Sequence, residues 1–170
     1  SGGLGTMGYE VPAAFGVQMG RPDALVWSIA GDGGFQMTLQ ELATVAQEHL
    51  PLKILIINNG YSGMVRQWQE LFYNHHYKSV SISGPDYVKL AAAYGISAAT
   101  VRTKDEVGMA LATAAGHAGP YLIDFAVSPE ENVYPMVPPG ASLAETVEDP
   151  RVVHYREPIH IGPEGLVSYP

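Results

Sequence analysis

Four short apolar runs punctuate the chain: Ala24 to Ala30, Lys53 to Asn58, Ile96 to Val101 and Tyr121 to Val127. They are rich in residues that suit strands. Between them apolar positions recur at helical spacing. In Thr38 to His49 the residues Leu39, Leu42, Ala43, Val45 and Ala46 fall largely on one side, and Asp86 to Tyr94 and Lys104 to Ala115 behave similarly. Thr103 followed by Glu106 forms a capping-box pattern at the head of the last of these helices. The strands read as apolar on both faces, as in a buried parallel sheet. Alternation of strand and helix then predicts a doubly wound α/β domain, with helices on both faces of a parallel sheet. No internal repeat is visible.

The pattern stops at Pro129. Pro135, Pro138, Pro139, Pro150, Pro158, Pro163 and Pro170 rule out long regular elements. The chain therefore divides into a domain over residues 1–128 and a Pro-rich tail over 129–170, which either packs on something or is partly disordered.

Composition narrows the classes. Hydrophobic residues make up 46% of the 170 residues, enough for a core. The net charge is −8, and nine basic residues scattered along the chain form no basic stripe, which argues against nucleic acid and against an anionic membrane surface. No apolar run approaches the roughly 20 residues needed to cross a bilayer. There is no cysteine, so disulfides, thiolate metal sites and cysteine nucleophiles are excluded, in keeping with a reducing, cytoplasmic setting. The first residues, Ser1-Gly2-Gly3-Leu4-Gly5, lack an initiator methionine and a signal-peptide pattern, and the chain reads as a piece of a longer protein.

Two glycine clusters could carry chemistry. Gly3-Leu4-Gly5-Thr6-Met7-Gly8 matches G-x-G-x-x-G. A nicotinamide site also needs a preceding strand and an acid at the end of the next one. The chain starts too late to show such a strand, and the next strand ends in a second glycine turn with its acid embedded, so glycines that merely permit tight turns are the better reading of the two. Gly31-Asp32-Gly33-Gly34 is stronger. It follows a strand and precedes a helix, and the next strand ends in Asn58-Asn59. Ligands of open α/β sheets sit beyond the carboxyl ends of the strands, where Asp32 and Asn59 can be neighbours. A carboxylate and an amide oxygen suit Mg²⁺ shared with a diphosphate. Gly33 and Gly34 let backbone approach phosphate oxygens. The bland alternatives are Asp32 as a helix N-cap and Asn58-Asn59 as a turn.

Gly31-Asp32-Gly33, then 25 residues, then Asn58-Asn59 resembles the signature of thiamine-diphosphate enzymes. Three blocks narrow the resemblance: Ser1 to Tyr9, Gly63-Met64-Val65-Arg66-Gln67-Trp68-Gln69, and Val133-Tyr134-Pro135-Met136-Val137-Pro138. Together they are similar to the catalytic subunit of acetolactate (acetohydroxyacid) synthases, over about residues 1–148.

That resemblance implies a set of roles. Asp32, Asn59 and the backbone carbonyl of Tyr61 would hold Mg²⁺ on the diphosphate of thiamine diphosphate. Tyr61 departs from the acidic residue often found there, which a carbonyl ligand tolerates. Gly31, Gly33 and Gly34 would cradle the diphosphate. The carbonyl of Gly5 would accept from the aminopyrimidine, and Met7 would wedge the cofactor into its bent, reactive form. Gly63, Met64 and Val65 would flank the cofactor, and Trp68 would line the pocket for a second 2-oxo acid. The implied reaction joins pyruvate, after loss of CO₂, to that second acid, at the start of branched-chain amino-acid synthesis. The resemblance also implies an essential glutamate and FAD on domains not contained here, a homodimer or larger homo-oligomer, and a regulatory subunit. This chain alone is then expected to be inactive.

Each residue has an ordinary alternative: core packing for Met7 and Met64, a buried or interface aromatic for Trp68, and a solvated or interface charge for Arg66. His75 and His76 are adjacent and share no face, and no histidine pair has zinc-helix spacing, so surface or interface roles are expected. The rival functions are another thiamine-diphosphate carboligase or decarboxylase, such as glyoxylate carboligase, and a binding module without turnover.

Overall fold

A computed structural model describes residues 2–151; the tail beyond, with Pro158, Pro163 and Pro170, lies outside the described residues, as does Ser1. Four strands, β1 (Trp27–Gly31), β2 (Lys53–Asn58), β3 (Ser97–Val101) and β4 (Tyr121–Ala126), form one sheet in the order β1-β2-β4-β3. All three pairings are parallel. Among the described residues six α-helices accompany it: α1 (Glu10–Gly20), α2 (Asp32–Met37), α3 (Leu42–Gln47), α4 (Gly63–Phe72), α5 (Tyr87–Ala93) and α6 (Val107–Gly116).

The period-two alternation of strand side chains builds two cores. Ile54, Ile56 and Leu122 face one side, where they meet Val11 of α1, Phe35 of α2, Leu42 and Val45 of α3, and Ala91 of α5. Leu55 and Ile123 face the other side, with Ala114 and the partly buried Val107 and Leu111 of α6. Each fully buried aliphatic side chain contributes roughly 1.5–3 kcal/mol. The doubly wound reading therefore holds.

Burial on both faces is confined to the central strands β2 and β4. On the edge strand β1 burial alternates, and Ile29 is 64% exposed. β1 also begins at Trp27, since a turn follows Arg21, whose carbonyl accepts from Ala24. The helix expected over Thr38 to His49 divides into a 3₁₀ turn, Leu39–Glu41, and α3, and His49 leaves it with φ near 50°. The expected capping box forms: the N–H groups of Arg102 and Thr103 donate to the Glu106 carboxylate at 2.8 and 3.0 Å. Lys53 opens β2 buried. Its ammonium donates to the carbonyls of His117 (2.7 Å) and Gly119 (2.6 Å), which fastens the connection between α6 and β4, and burial lowers its pKa.

The chain forms two compact units, Ser1–Asn132 and the part from Val133 onward. In the second, the described residues carry one 3₁₀ turn, Leu143–Glu145, and an antiparallel bridge between Met136 and Val147.

Candidate functional site

Gly31 at the end of β1 lies opposite Ile57 of β2, so Asp32 and Asn59 leave the sheet side by side at its carboxyl edge. Gly31, with extended backbone, takes the cap position of α2, and Asp32 is the first helical residue rather than the cap. Asp32 is 3% exposed. Burial raises its pKa, and the charge of Asp124 adds to the rise. Hydrogen bonds from the N–H groups of Gly33, Gly60 and Asp32 itself oppose it. The Gly60 N–H donates to Asp32 Oδ2 at 3.0 Å.

A tight turn follows β2. Asn59 Oδ1 accepts the Tyr61 N–H at 3.0 Å, and Gly60 takes a φ of 72°, which glycine adopts without strain. A second segment then pairs with the turn: Ile82 N–H donates to the Gly60 carbonyl and Ser62 N–H to the Val80 carbonyl, each at 2.8 Å, about an antiparallel Tyr61–Ser81 bridge. Successive residues of such a ladder turn their polar groups to opposite edges. The N–H and C=O of Tyr61 therefore face away from residues 80–82, and the Tyr61–Asn59 bond agrees.

A cavity of about 340 Å³ lies here, and Met7, Asp32, Asn59, Tyr61, Gly63 and Val65 all line it, as do Gly31, Gly33 and Gly34. At two of the glycines on its floor a side chain would crowd its neighbours, whereas Gly31 has open space. A Cβ on Gly33 would fall 2.8 Å from Ile82 Cδ1 and 3.0 Å from Met7 Cε, and one on Gly34 would fall 2.9 Å from Glu10 Oε1. Glu10 also lines the cavity, and its Oε2 is buried with no hydrogen-bond partner. A second cavity of about 660 Å³ is lined by Met64, Val65, Trp68, Phe72 and His76, so Val65 borders both. Trp68 and Phe72 meet edge to face at 5.7 Å.

Most of the residues singled out in the sequence thus come together in two adjoining cavities. Gly5 does not: it is exposed in the segment before α1, with φ near 61°, and is not among the residues lining these two. Met7 and Met64 are exposed rather than packed in the core. His75 and His76 are exposed, as expected. Arg66 is the correction. It was expected as a solvated or interface charge, yet it is 5% exposed and paired with Glu70 at 3.0 Å and Glu130 at 2.8 Å. Its i,i+4 spacing to Glu70 was visible in the sequence; the distant partner was not. Glu10 carries no signal in the sequence beyond its place after the first glycine cluster, and the helix α4 is marked there only as a motif block. Among the described residues no group of three or more His, Cys, Asp or Glu is placed to hold a metal. An oxygen set of one carboxylate, one amide and one carbonyl requires no such group.

Residues 1–125 match the family described as "Thiamine pyrophosphate enzyme, C-terminal TPP binding domain". The chain belongs to that family. It is 49% identical over 149 residues to the acetolactate synthase large subunit of Pyropia yezoensis, covering 86% of this chain and 25% of that protein. It is 48% identical over 149 residues to the acetolactate synthase isozyme 2 large subunit of Escherichia coli (strain K12), covering 87% and 27%. Among solved structures it is similar to a thiamine diphosphate-dependent 4-hydroxybenzoylformate decarboxylase of Rhodococcus jostii RHA1, with a TM-score of 0.67 and 30% identity over 72% of this chain and 23% of that one. The chain thus spans about a quarter of the length of these relatives. The domain is a thiamine-diphosphate-binding one, and among the described residues no helix is long and apolar enough to cross a membrane.

Proposed function

We propose that this chain is the diphosphate- and metal-binding part of an acetolactate synthase, which joins pyruvate, after loss of CO₂, to a second 2-oxo acid. Gly33 and Gly34, where a Cβ would crowd Ile82, Met7 and Glu10, and the all-oxygen donor set beside them fit a Mg²⁺–diphosphate group. Asp32, Asn59 Oδ1 and the Tyr61 carbonyl are the metal ligands in this reading. Each side-chain group keeps acceptor capacity beyond the one hydrogen bond it makes. The backbone of Gly31, Gly33 and Gly34 lies against the diphosphate. The Gly5 carbonyl and Met7 hold the pyrimidine, and Gly63, Met64 and Val65 flank the cofactor. When bound, thiamine diphosphate supplies the electron sink for loss of CO₂ and for the new carbon–carbon bond.

The observation that carries the two-substrate reading is Val65, a wall shared by the glycine-floored cavity and the Trp68 cavity. In this reading the Trp68 cavity is the acceptor pocket beside the cofactor. The near-half identity to two acetolactate synthases supports the same choice. The reading extends to parts outside this chain: an essential glutamate and FAD on other domains, a homo-oligomer, a regulatory subunit and a cytoplasmic setting. Residues 1–128 are taken as the cofactor domain and residues 129–170 as a Pro-rich tail, whose first residues Glu130 and Asn132 bond to α4.

The decarboxylase among the structural relatives favours one alternative, a different thiamine-diphosphate decarboxylase or carboligase such as glyoxylate carboligase. Product analysis separates them. The intact protein given pyruvate, with and without 2-oxobutyrate, should form acetolactate and the mixed acetohydroxy acid. Release of acetaldehyde alone would overturn the synthase reading. No thiamine-diphosphate binding at all would point to a module without turnover.

A further inference from the structure

We propose that Arg66 is a positioning residue for the metal-binding turn, acting through the aromatic ring of Tyr61. The proposal rests on the metal assignment above and concerns a residue that neither faces the cavity nor binds the cofactor. The Arg66 guanidinium is buried where four segments meet. It stands 5.3 Å from the ring centroid of Tyr61, in the turn after β2, and 4.7 Å from that of Tyr77, in the loop after α4. It pairs with Glu70 one helical turn further along α4 and with Glu130 beyond β4. Glu70 also accepts from the Tyr77 hydroxyl at 3.0 Å and from Asn132 Nδ2 at 2.8 Å. One cation thus touches one arm of the ladder in which Gly60 and Ser62 bond Ile82 and Val80, and the loop that leads into the other arm.

The arrangement has a directional consequence. The ring of Tyr61 is held by the guanidinium, and its N–H is held by Asn59. The Tyr61 carbonyl shares its planar peptide with the Ser62 N–H, which donates to the Val80 carbonyl, so with the ring also held the carbonyl keeps its direction away from residues 80–82. Mg²⁺ demands near-octahedral geometry at short distances, so a small error in one carbonyl is costly. Residues that orient metal ligands typically change metal affinity by about 10–100-fold when removed. A lysine cannot replace this arginine. Its point charge cannot bridge two carboxylates while standing over two rings.

The test is a titration of thiamine diphosphate at increasing Mg²⁺ in the intact protein, followed by calorimetry, with thermal melting of each metal-free variant. Arg66→Gln should raise the Mg²⁺ concentration for half-maximal cofactor binding at least about tenfold, and Arg66→Lys should not restore it. Tyr77→Phe keeps the ring and removes one bond to Glu70, so it should shift the value less. If Arg66→Gln fails to fold, Glu130→Gln, which loosens the guanidinium from its exposed side, should give a smaller shift of the same sign. A lower melting temperature with unchanged Mg²⁺ dependence would overturn the proposal and leave Arg66 a purely structural pair. Absence of Mg²⁺-dependent binding in the unmodified protein would instead sink the metal assignment itself.

Discussion

Gly34 sits in the first turn of α2, where alanine would favour the helix by up to about 1 kcal/mol. The methyl group would nevertheless fall 2.9 Å from Glu10 Oε1, at the far end of a side chain that can move. Gly34→Ala should therefore leave the melting temperature nearly unchanged. It should weaken thiamine-diphosphate binding at least about tenfold, or ~1.4 kcal/mol, because in the proposed reading the diphosphate lies against this backbone. Unaltered affinity by calorimetry would remove the diphosphate from this floor. Trp68 belongs to the other cavity. Trp68→Leu should reduce the preference for 2-oxobutyrate over pyruvate as acceptor, in a graded way, since apolar pockets discriminate by only about 1–3 kcal/mol. A competition assay reads the product ratio, and an unchanged ratio would take Trp68 out of the pocket. Asp32 and Asn59 were legible in the sequence because each ends an apolar run and the fold rule brings strand ends together. Glu10 and Arg66 were not. A charge carries no local sign of burial, and the partner Glu130 lies 64 positions from Arg66.

At the scale of elements, α5 is fixed to α2 by Tyr87. Its buried ring meets Phe35 edge to face at 5.6 Å, and its hydroxyl accepts from Gln36 at 3.3 Å. Burial, with the charge of Asp32, pushes its pKa up to about 12. An unfolded tyrosine titrates near about 10. The native state thus holds a proton that the unfolded chain has lost, so stability is retained below about pH 10 and falls as pH rises toward about 12. Tyr87→Phe should make the alkaline loss shallower, as read from urea melts at about pH 8 and about pH 11. An equal loss in the variant would mean that Tyr87 does not govern it. The strands themselves were legible, with β2 matching residue for residue, because a buried central strand is a plain apolar run. The helix α4 escaped: it opens on Gly63 and the β-branched Val65, both weak helix formers, and is held by tertiary contacts instead.

For the molecule as a whole, the chain spans about a quarter of its relatives, and the proposed reading puts an essential glutamate on a domain outside it. The uncovered Ile29 of β1 adds apolar surface that a partner domain can bury. The purified 170-residue chain should fold by circular dichroism yet make no acetolactate from pyruvate with Mg²⁺ and thiamine diphosphate. Turnover near that of an intact synthase would contradict the need for a glutamate from another domain. The central claim is that Asp32 anchors the metal on the diphosphate. Calorimetric titration of thiamine diphosphate into the intact protein should give Mg²⁺-dependent binding, and Asp32→Ala should weaken it at least about a hundredfold, ~2.7 kcal/mol, with the circular dichroism unchanged. Equal affinity in the parent and in Asp32→Ala would contradict the assignment.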